Sequence, residues 1–364
     1  MENLKNAREE LNRIDEELAG LFERRMKAVS RVAECKMALG LPVENKEFES
    51  ETIAKKAEMV EDSKIKSYYV NFLEDLVGIS KSYQHYLMKG MKVAFSGVEG
   101  AFANIAAKNI FPDSEIIPFG DFKEAYLAAQ NGECDCAVLP IENSFAGDVG
   151  QVMDMGYAGP LYINGVYELH ITQNLLGTQD SDLSKIKRVI SHPQALAQCA
   201  SFIKEYGFEK TECTNTAAAA KLVAESNDPT VAAIASADTA QLYGLKVLQK
   251  TINEDVNNTT RFAVFSRVPN KESDEDNHFI MFFTVKNEAG SLSKAVSVLG
   301  EYGINLHALK SRPTKESGWE YYFYIEGEGN LSDERGMAVK AELQKTCRNF
   351  KIAGAFNKVI TLKV

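Results

Sequence analysis

The chain has 364 residues, 45% of them hydrophobic and 25% charged, a composition that excludes disorder as its main state. At roughly 100 to 200 residues per domain, that length holds two or three domains, each able to bury its own core. Lys plus Arg number 41 against 51 Asp plus Glu, a formal charge of -10, so the chain is a poor general binder of nucleic acid or an anionic membrane, whose phosphates need clustered cations. The opening residues, MENLKNAREELNRIDEEL, contain no apolar signal-peptide core, and no stretch approaches the roughly 18 uncharged apolar residues of a membrane helix. A cytoplasmic protein is expected. The cysteines (Cys35, Cys134, Cys136, Cys199, Cys213, Cys347) are scattered, and the histidines lack ligand spacing, so neither a disulfide set nor a metal site is expected.

From Leu4 to Leu39 apolar residues repeat in heptads, with Leu4, Leu11, Leu18, Val32 and Leu39 on one row and Ala7, Ile14, Leu21, Ala28 and Cys35 on the next. One helix on the order of 50 Å is predicted, longer than a small domain is wide. Its stripe needs partner helices along its whole length, and a dimer supplies them. Gly40 and Pro42 stop it, and helices over about 45–61 and 65–89 follow.

Near Met91 the texture changes to short β-type runs, KVAFSG, EIIPFG, CAVLPIEN, YELHITQNLLG, RVIS, TVAAIAS and RFAVFSR, interleaved with Ala-rich helices, which predicts an α/β region. The polar run VPNKESDEDN, residues 268–277, reads as a linker. Beyond it the order strand, helix, strand, strand, helix, strand is ferredoxin-like. The expected domains are 1–90, 91–268 and 278–364.

Within the first helix Arg25 occupies a heptad row of leucines, and Lys36 a row that holds Phe22 and Val29. A buried charge without compensation costs several kcal/mol, so each cation requires an anion. The alternative is a snorkelling side chain at a dimer edge. Ser80 and Gln84 lie one turn apart on the last helix beside Leu73, Val77 and Leu87. With Arg8 and Glu49 these residues make a cationic pocket suited to a small dianion and without a nucleophile.

The segments A-R-E-E-L-N-R-I-D, E-R-R, A-E-C-K, P-V-E-N-K-E-F-E and I-S-K-S-Y-Q resemble the motifs of the all-helical chorismate mutases over nearly all of residues 1–88. That resemblance implies the Claisen rearrangement of chorismate to prephenate. It implies carboxylate binding by Arg25 and by Arg8 reaching in from a partner chain, and hydrogen bonding of the ether oxygen by Lys36 and Gln84, where negative charge develops. Glu49 would hold the ring hydroxyl. Asn45 stands where an acidic residue can help with that hydroxyl, and Phe48 replaces an arginine of some members.

In the middle region G-V-E-G-A-F brings glycines to a strand-to-helix turn where backbone N–H groups can bind an anion, without the spacing of a dinucleotide site. L-P-I-E-N-S, I-S-H-P-Q-A-L-A-Q-C, C-T-N-T-A-A-A and N-N-T-T-R-F each put polar groups at a strand end, where open α/β sheets bind ligands. Taken singly, Asn143 and Ser144 are also good turn residues, Ser191 and Asn215 helix caps, His192 a surface residue before Pro193, and Thr260 a good strand former. Together the four segments resemble prephenate dehydratase over residues 92–267. This implies two lobes resembling periplasmic binding proteins, with prephenate in the cleft near Glu142, Asn143, Ser191, Gln198, Thr260 and Arg261. Thr260 would hydrogen-bond the departing hydroxyl. Ala103 stands where the family usually has a hydroxyl residue.

The ferredoxin-like tail resembles the ACT regulatory domain through Gly290-Ser291-Leu292-Ser293 at a helix start and Lys310-Ser311-Arg312-Pro313 at a strand end, with Lys310 where Glu is common. The alternative is that Gly290 begins a helix and Pro313 ends a strand, as in any such domain. The resemblance implies phenylalanine as effector at Gly290, Ser291, Leu292, Ser293, Ser311, Arg312 and Pro313. The order of the three domains predicts a bifunctional chorismate mutase and prephenate dehydratase, a homodimer or tetramer that needs no cofactor and is inhibited by phenylalanine. The rival expectation is a non-catalytic amino-acid sensor with a helical dimerisation module.

Overall fold

A computed structural model describes residues 2–39, 46–255, 257–270, 275–314 and 320–362; the side chains of residues 2, 36–39, 46–51, 85, 88 and 89 lie outside that description. The chain divides into two compact units, Met1–Lys92 with Asp113–Glu115 and Asn131–Cys134, and the remainder.

The first unit holds α1 (Glu2–Leu39), α2 (Lys46–Ala57) and α3 (Lys66–Lys89). The uninterrupted heptad pattern makes α1 one 38-residue helix, about 57 Å long at 1.5 Å per residue. It packs on α3, burying Ala33, Leu73, Ser80 and Gln84, whereas Leu4, Leu11, Ile14, Leu18, Leu21 and Val32 stay 45–58% exposed. Two shorter helices cannot cover so long an apolar stripe.

In the second unit β1 (Lys92–Ser96), α4 (Phe102–Ile110), β2 (Glu115–Phe119), α5 (Phe122–Gln130), β3 (Cys136–Asn143), β4 (Gly147–Asp148), α6 (Gly150–Ala158) and β5 (Tyr162–His170) build most of a first lobe. The second lobe is β6 (Asn174–Gly177), β7 (Arg188–Ser191), α7 (Pro193–Gln198), α8 (Ala200–Tyr206), β8 (Glu209–Glu212), α9 (Thr216–Ser226), β9 (Val231–Ala235), α10 (Ala237–Tyr243) and β10 (Lys246–Gln249). The chain then returns as β11 (Thr259–Ser266), which lies antiparallel between β3 and β5. Its sheet continues through β3 and β1 to β2, and the second sheet has the order β10-β6-β9-β7-β8. The apolar runs CAVL of β3 and VAAIA of β9 are buried throughout, as expected where helices cover a sheet on both faces.

The run YELHITQNLLG, predicted as one strand segment, serves two sheets. Tyr167 to His170 end β5, Asn174 to Gly177 form β6, and Ile171 to Gln173 cross between the lobes. The crossover is held by the returning chain, with Ile171 N donating to Asn258 O at 2.7 Å, Ile252 N to Gln173 O at 2.9 Å and Gln173 N to Asn253 Oδ1 at 3.0 Å. The strands Glu209–Glu212 and Lys246–Gln249 were not predicted, being short and lacking an apolar alternation.

The last domain is β12 (His278–Thr284), α11 (Ser291–Glu301), β13 (Asn305–Pro313), β14 (Tyr321–Glu328), α12 (Glu334–Thr346) and β15 (Arg348–Phe356), with sheet order β13-β14-β12-β15, the ferredoxin-like arrangement predicted. Phe279, Met281 and Phe283 pack with Ala295, Leu299, Val339 and Leu343 of its own helices. The opposite face meets the first lobe: Tyr157 of α6 stacks on Tyr322 at 4.3 Å, and Phe282 lies edge-on to Tyr157. Lys351 donates to the carbonyls of Gly156 and Gly159 at the α6 C-terminus, where a cation meets the negative end of the helix dipole. β16 (Ile360–Thr361) adds a parallel strand beside β5. The segment read as a linker is anchored where it leaves the first lobe, since Asn164 of β5 exchanges hydrogen bonds with Val268 and Asn270.

Candidate active sites

In the helical unit α1 and α3 bring Arg25, Ser80 and Gln84 together. Arg25 Nη1 donates to Ser80 Oγ and, at 3.4 Å, to Leu76 O; Ser80 Oγ donates to Leu76 O at 2.6 Å. Among the described residues no carboxylate pairs with Arg25, and burial pulls its guanidinium below the ordinary value. A half-buried cation held only by neutral acceptors has the chemistry to bind an anion. Gln84 is buried, donates only weakly to Ser80 O at 3.4 Å, and its Oε1 has no partner among the described residues. Arg8 is exposed on α1, consistent with its expected reach towards a second chain. Asn45 lies outside the described residues, as do the side chains of Lys36 and Glu49.

The second unit holds a cavity of about 740 Å³ between its two lobes, a size suited to a small organic ligand. Among the described residues its lining contains no Asp, Glu, Lys or Arg. Positive potential comes instead from backbone. The first turn of α4 lines it from one lobe through Ala101, Phe102 and Ala103, with no side chain capping that turn, and Thr214, Asn215 and Thr216 bring the start of α9 from the other. Gly97 and Gly100 adopt φ of +113° and +85°, a region open chiefly to glycine, and so shape the turn that presents α4. Thr239 Oγ1 donates to Gly100 O at 2.9 Å and Tyr243 to Glu99 O at 3.1 Å, joining α10 of the second lobe to that turn.

Asn143 is the hub of the cavity. Its Nδ2 donates to Thr260 Oγ1 at 3.0 Å and to Asn258 Oδ1 at 2.9 Å, and its Oδ1 accepts from the N–H groups of Phe145 and Ala146 and from Gln194 Nε2 at 3.0 Å. Asn143 and Thr260 are register partners on β3 and β11. Because Thr260 Oγ1 accepts from Asn143, its own proton is free to be donated into the cavity. Gln198, as predicted, lines the same space; its Oε1 accepts from Gln173 Nε2 at 3.2 Å, while Gln173 Oε1 is buried without a partner among the described residues. His192, whose sequence reading taken singly is a surface residue before Pro193, also lines the cavity and caps α7 by accepting from Gln194 N at 3.2 Å. Burial lowers its pKa by disfavouring the charged form, and Nδ1 accepts rather than donates. Gln173 and Gln194 were not singled out in the sequence. Asn215 was read only as a cap, which it is, through Ala218 N at 2.7 Å.

Three residues expected to bind substrate do not line this cavity. The side chain of Ser191 is fully buried, donating to Ile234 O at 2.6 Å. Glu142 and Arg261 follow the strand rule that neighbours point to opposite faces, so they stand behind Asn143 and Thr260. Arg261 forms a forked pair with Glu326 of β14 at 2.5 and 2.9 Å and meets Glu142 at 3.3 Å. Burial alone would raise the Glu326 carboxyl, but the Arg261 hydrogen bonds and charge outweigh it and hold the carboxyl below its ordinary value.

In the last domain Gly290 caps α11 at φ +82° with no side-chain cap bond, and Ser293 Oγ donates back to Gly290 O at 3.0 Å. Ser311 and Pro313 lie on the exposed side of β13. Arg312, expected at the effector, instead turns to the first lobe, where Nε and Nη2 bind Asp154 at 2.8 and 3.2 Å. Lys310 turns the same way.

A chorismate mutase type II family model matches residues 7–85, a prephenate dehydratase model residues 93–270 and an ACT domain model residues 279–341. The bifunctional chorismate mutase/prephenate dehydratase of Aquifex aeolicus is 31% identical over 367 residues, covering 99% of both chains. The chain belongs to the bifunctional chorismate mutase/prephenate dehydratase family. Among solved structures, the prephenate dehydratase of Arthrobacter aurescens in complex with L-Phe is 27% identical with a TM-score of 0.68, covering 75% of this chain and 93% of that one. GqqA, described as a novel type of quorum quenching acylase, is 29% identical with the same TM-score, covering 75% and 98%. The mutase module is thus the helical unit, and the dehydratase module the two lobes. No described helix is long and apolar enough to cross a membrane.

Proposed function

We propose that the chain rearranges chorismate to prephenate in the helical unit and converts prephenate to phenylpyruvate, carbon dioxide and water in the inter-lobe cavity. The observation that carries the second step is the Thr260 hydroxyl, held by Asn143 with its proton free, in a cavity whose walls bear no formal charge. Prephenate carries two carboxylates, and the α4 and α9 N-termini from opposite lobes supply donors for both without a competing anion. As the carboxylate leaves as carbon dioxide, its bonding pair aromatises the ring and expels the hydroxyl. One proton is consumed and water departs. Thr260 donates a hydrogen bond to that leaving oxygen, with Gln198 holding the substrate. Glu142 and Arg261 support the Asn143 and Thr260 strands from behind, and Ser191 ties β7 to β9 within the second lobe, a revision of their expected contact with substrate.

For the first step Arg25 binds one chorismate carboxylate, and Arg8 of a partner chain the other. Lys36 and Gln84 bind the ether oxygen as its bond breaks, and Asn45, Glu49 and Ser80 complete the pocket. The uncovered seam of α1 supports a homodimer through this helix. Domains at 1–90, 91–268 and 278–364 act in one cytoplasmic chain, and phenylalanine binding at Gly290–Ser293 with Ser311 and Pro313 lowers dehydratase turnover. A non-catalytic sensor would have no use for the Asn143–Thr260 pair or the unpaired Arg25. Purified protein given chorismate should form prephenate and then phenylpyruvate; binding without turnover of either acid would refute the proposal.

A further inference from the structure

The two residues that carry the dehydratase chemistry and the two that meet the last domain are adjacent positions on the same two strands, facing opposite ways. Thr260 pairs in register with Asn143, and Arg261 with Glu142. Behind the cavity, Lys310 of β13 donates to Glu142 Oε1 at 2.7 Å and to Asp148 Oδ1 at 2.5 Å, with its Nζ 5.7 Å from the Tyr324 ring centroid. Glu142 and Asp148 are themselves register partners on β3 and β4. Asp148 immediately precedes Val149, which caps α6 and lines the cavity. Lys310 therefore binds together the two strands that end at Asn143 and Asp148, the second leading directly into Val149.

The cluster contains Arg261 and Lys310 against Glu142, Asp148, Glu168 and Glu326, two cations for four carboxylates, and the Lys310 side chain is only 18% exposed. Deleting Lys310 would leave Glu142 and Asp148 as adjacent carboxylates with one cation fewer, and such partly buried pairs separate or take up protons. The same strand shows Ser311 and Pro313 on its other, exposed side.

We infer that Lys310 is a positioning residue for the dehydratase step, and that β13 transmits effector occupancy to Asn143 and Thr260 through the Lys310 bridge to Glu142 and Asp148. This rests on the cavity being the dehydratase site and adds its route of regulation. A ligand that shifts β13 by its differential affinity for two positions changes the geometry of this bridge, and with it the strand ends that hold Thr260.

Lys310→Met in the full chain should lower dehydratase kcat about tenfold with KM for prephenate within twofold, leave mutase turnover unchanged, and raise the phenylalanine concentration for half-inhibition at least threefold. Lys310→Arg, which keeps the cation, should restore most of both effects, a recovery that a packing role for the lysine stem would not produce. If Lys310→Met does not fold, Asp148→Asn, which removes one arm of the bridge from a partly exposed position, is expected to shift kcat and inhibition in the same direction by a smaller factor. Wild-type kcat and inhibition in the folded variant would overturn the inference. Thr260→Val is assayed alongside. If it turned over prephenate normally, the cavity assignment itself would fall, whereas its collapse beside a silent Lys310→Met would remove only the coupling.

Discussion

Under the proposed function, the mutase and dehydratase modules bind dianions of the same size by opposite means. The helical unit would use fixed cations, with Arg25 half-buried and free of any described carboxylate. The inter-lobe cavity has no charged side chain in its described lining and relies on amides, a hydroxyl and two helix N-termini. The difference follows from what each architecture can offer. A slender helical unit exposes few free backbone N–H groups away from its ends, so its anion sites need Arg and Lys. A pair of α/β lobes aims several helix starts at one cleft and needs none. In the dehydratase module charge is kept on the reverse face of the same strands, where it serves docking of the last domain.

The comparison breaks most sharply at single groups. Thr260→Val keeps shape and strand propensity while removing the hydroxyl proposed to bind the leaving oxygen, and phenylpyruvate formation from supplied prephenate should fall by about a hundredfold or more while mutase turnover is unchanged. Loss of both activities together would point to misfolding. Lys36→Ala should act in mirror image, lowering chorismate rearrangement by about a hundredfold and sparing dehydration, as steady-state assays on the two substrates would show.

A smaller effect separates the sensor from both sites. A Cβ added at Gly290 would meet nothing closer than Ser293 Oγ at 3.9 Å, so the expected strain of Gly290→Val comes from φ of +82°. A strain of about 1–2 kcal/mol at the start of α11 should shift half-inhibition by phenylalanine roughly tenfold upward, measured on the dehydratase step, with basal turnover kept. The smallest effect sharpens the electrostatic contrast. Raising ionic strength from about 0.05 to 0.5 M should raise KM for chorismate severalfold and KM for prephenate less, because screening weakens point charges more than enclosed hydrogen-bond donors. Equal shifts would mean that the two sites do not differ in kind.

Residues legible in the sequence were those that broke a period. Arg25 interrupts a leucine row, and the ferredoxin-like order of the tail follows from alternating apolar runs. Residues whose meaning depends on the opposite lobe were not legible: Gln173 and Gln194 have no local signature, Asn253 Oδ1 accepts from the Gln173 N–H of the crossover, and Asn258 Oδ1 accepts from Asn143, 115 residues away in sequence. The Phe279–Phe283 run predicted a strand, without saying that its own helices cover one face and the first lobe the other. The facing of Glu142 and Arg261 was within reach, since a period of two separates each from its catalytic neighbour. Family motifs grouped them with Asn143 and Thr260 because adjacency in sequence was read as adjacency in space. Lys310 and Arg312 fell to the same confusion, one residue away from Ser311 and Pro313 on the opposite side of β13.

Two independent sites in one chain are tested most directly by mixing Lys36→Ala and Thr260→Val chains in equal amounts and supplying chorismate alone. Lys36→Ala by itself should form almost no prephenate, and Thr260→Val by itself should accumulate prephenate without phenylpyruvate. The mixture should restore phenylpyruvate after a lag set by prephenate passing from one chain to the other. Absence of phenylpyruvate from the mixture, with each folded chain still active on the substrate of its intact site, would contradict the account, as would wild-type phenylpyruvate formation from chorismate by either variant alone.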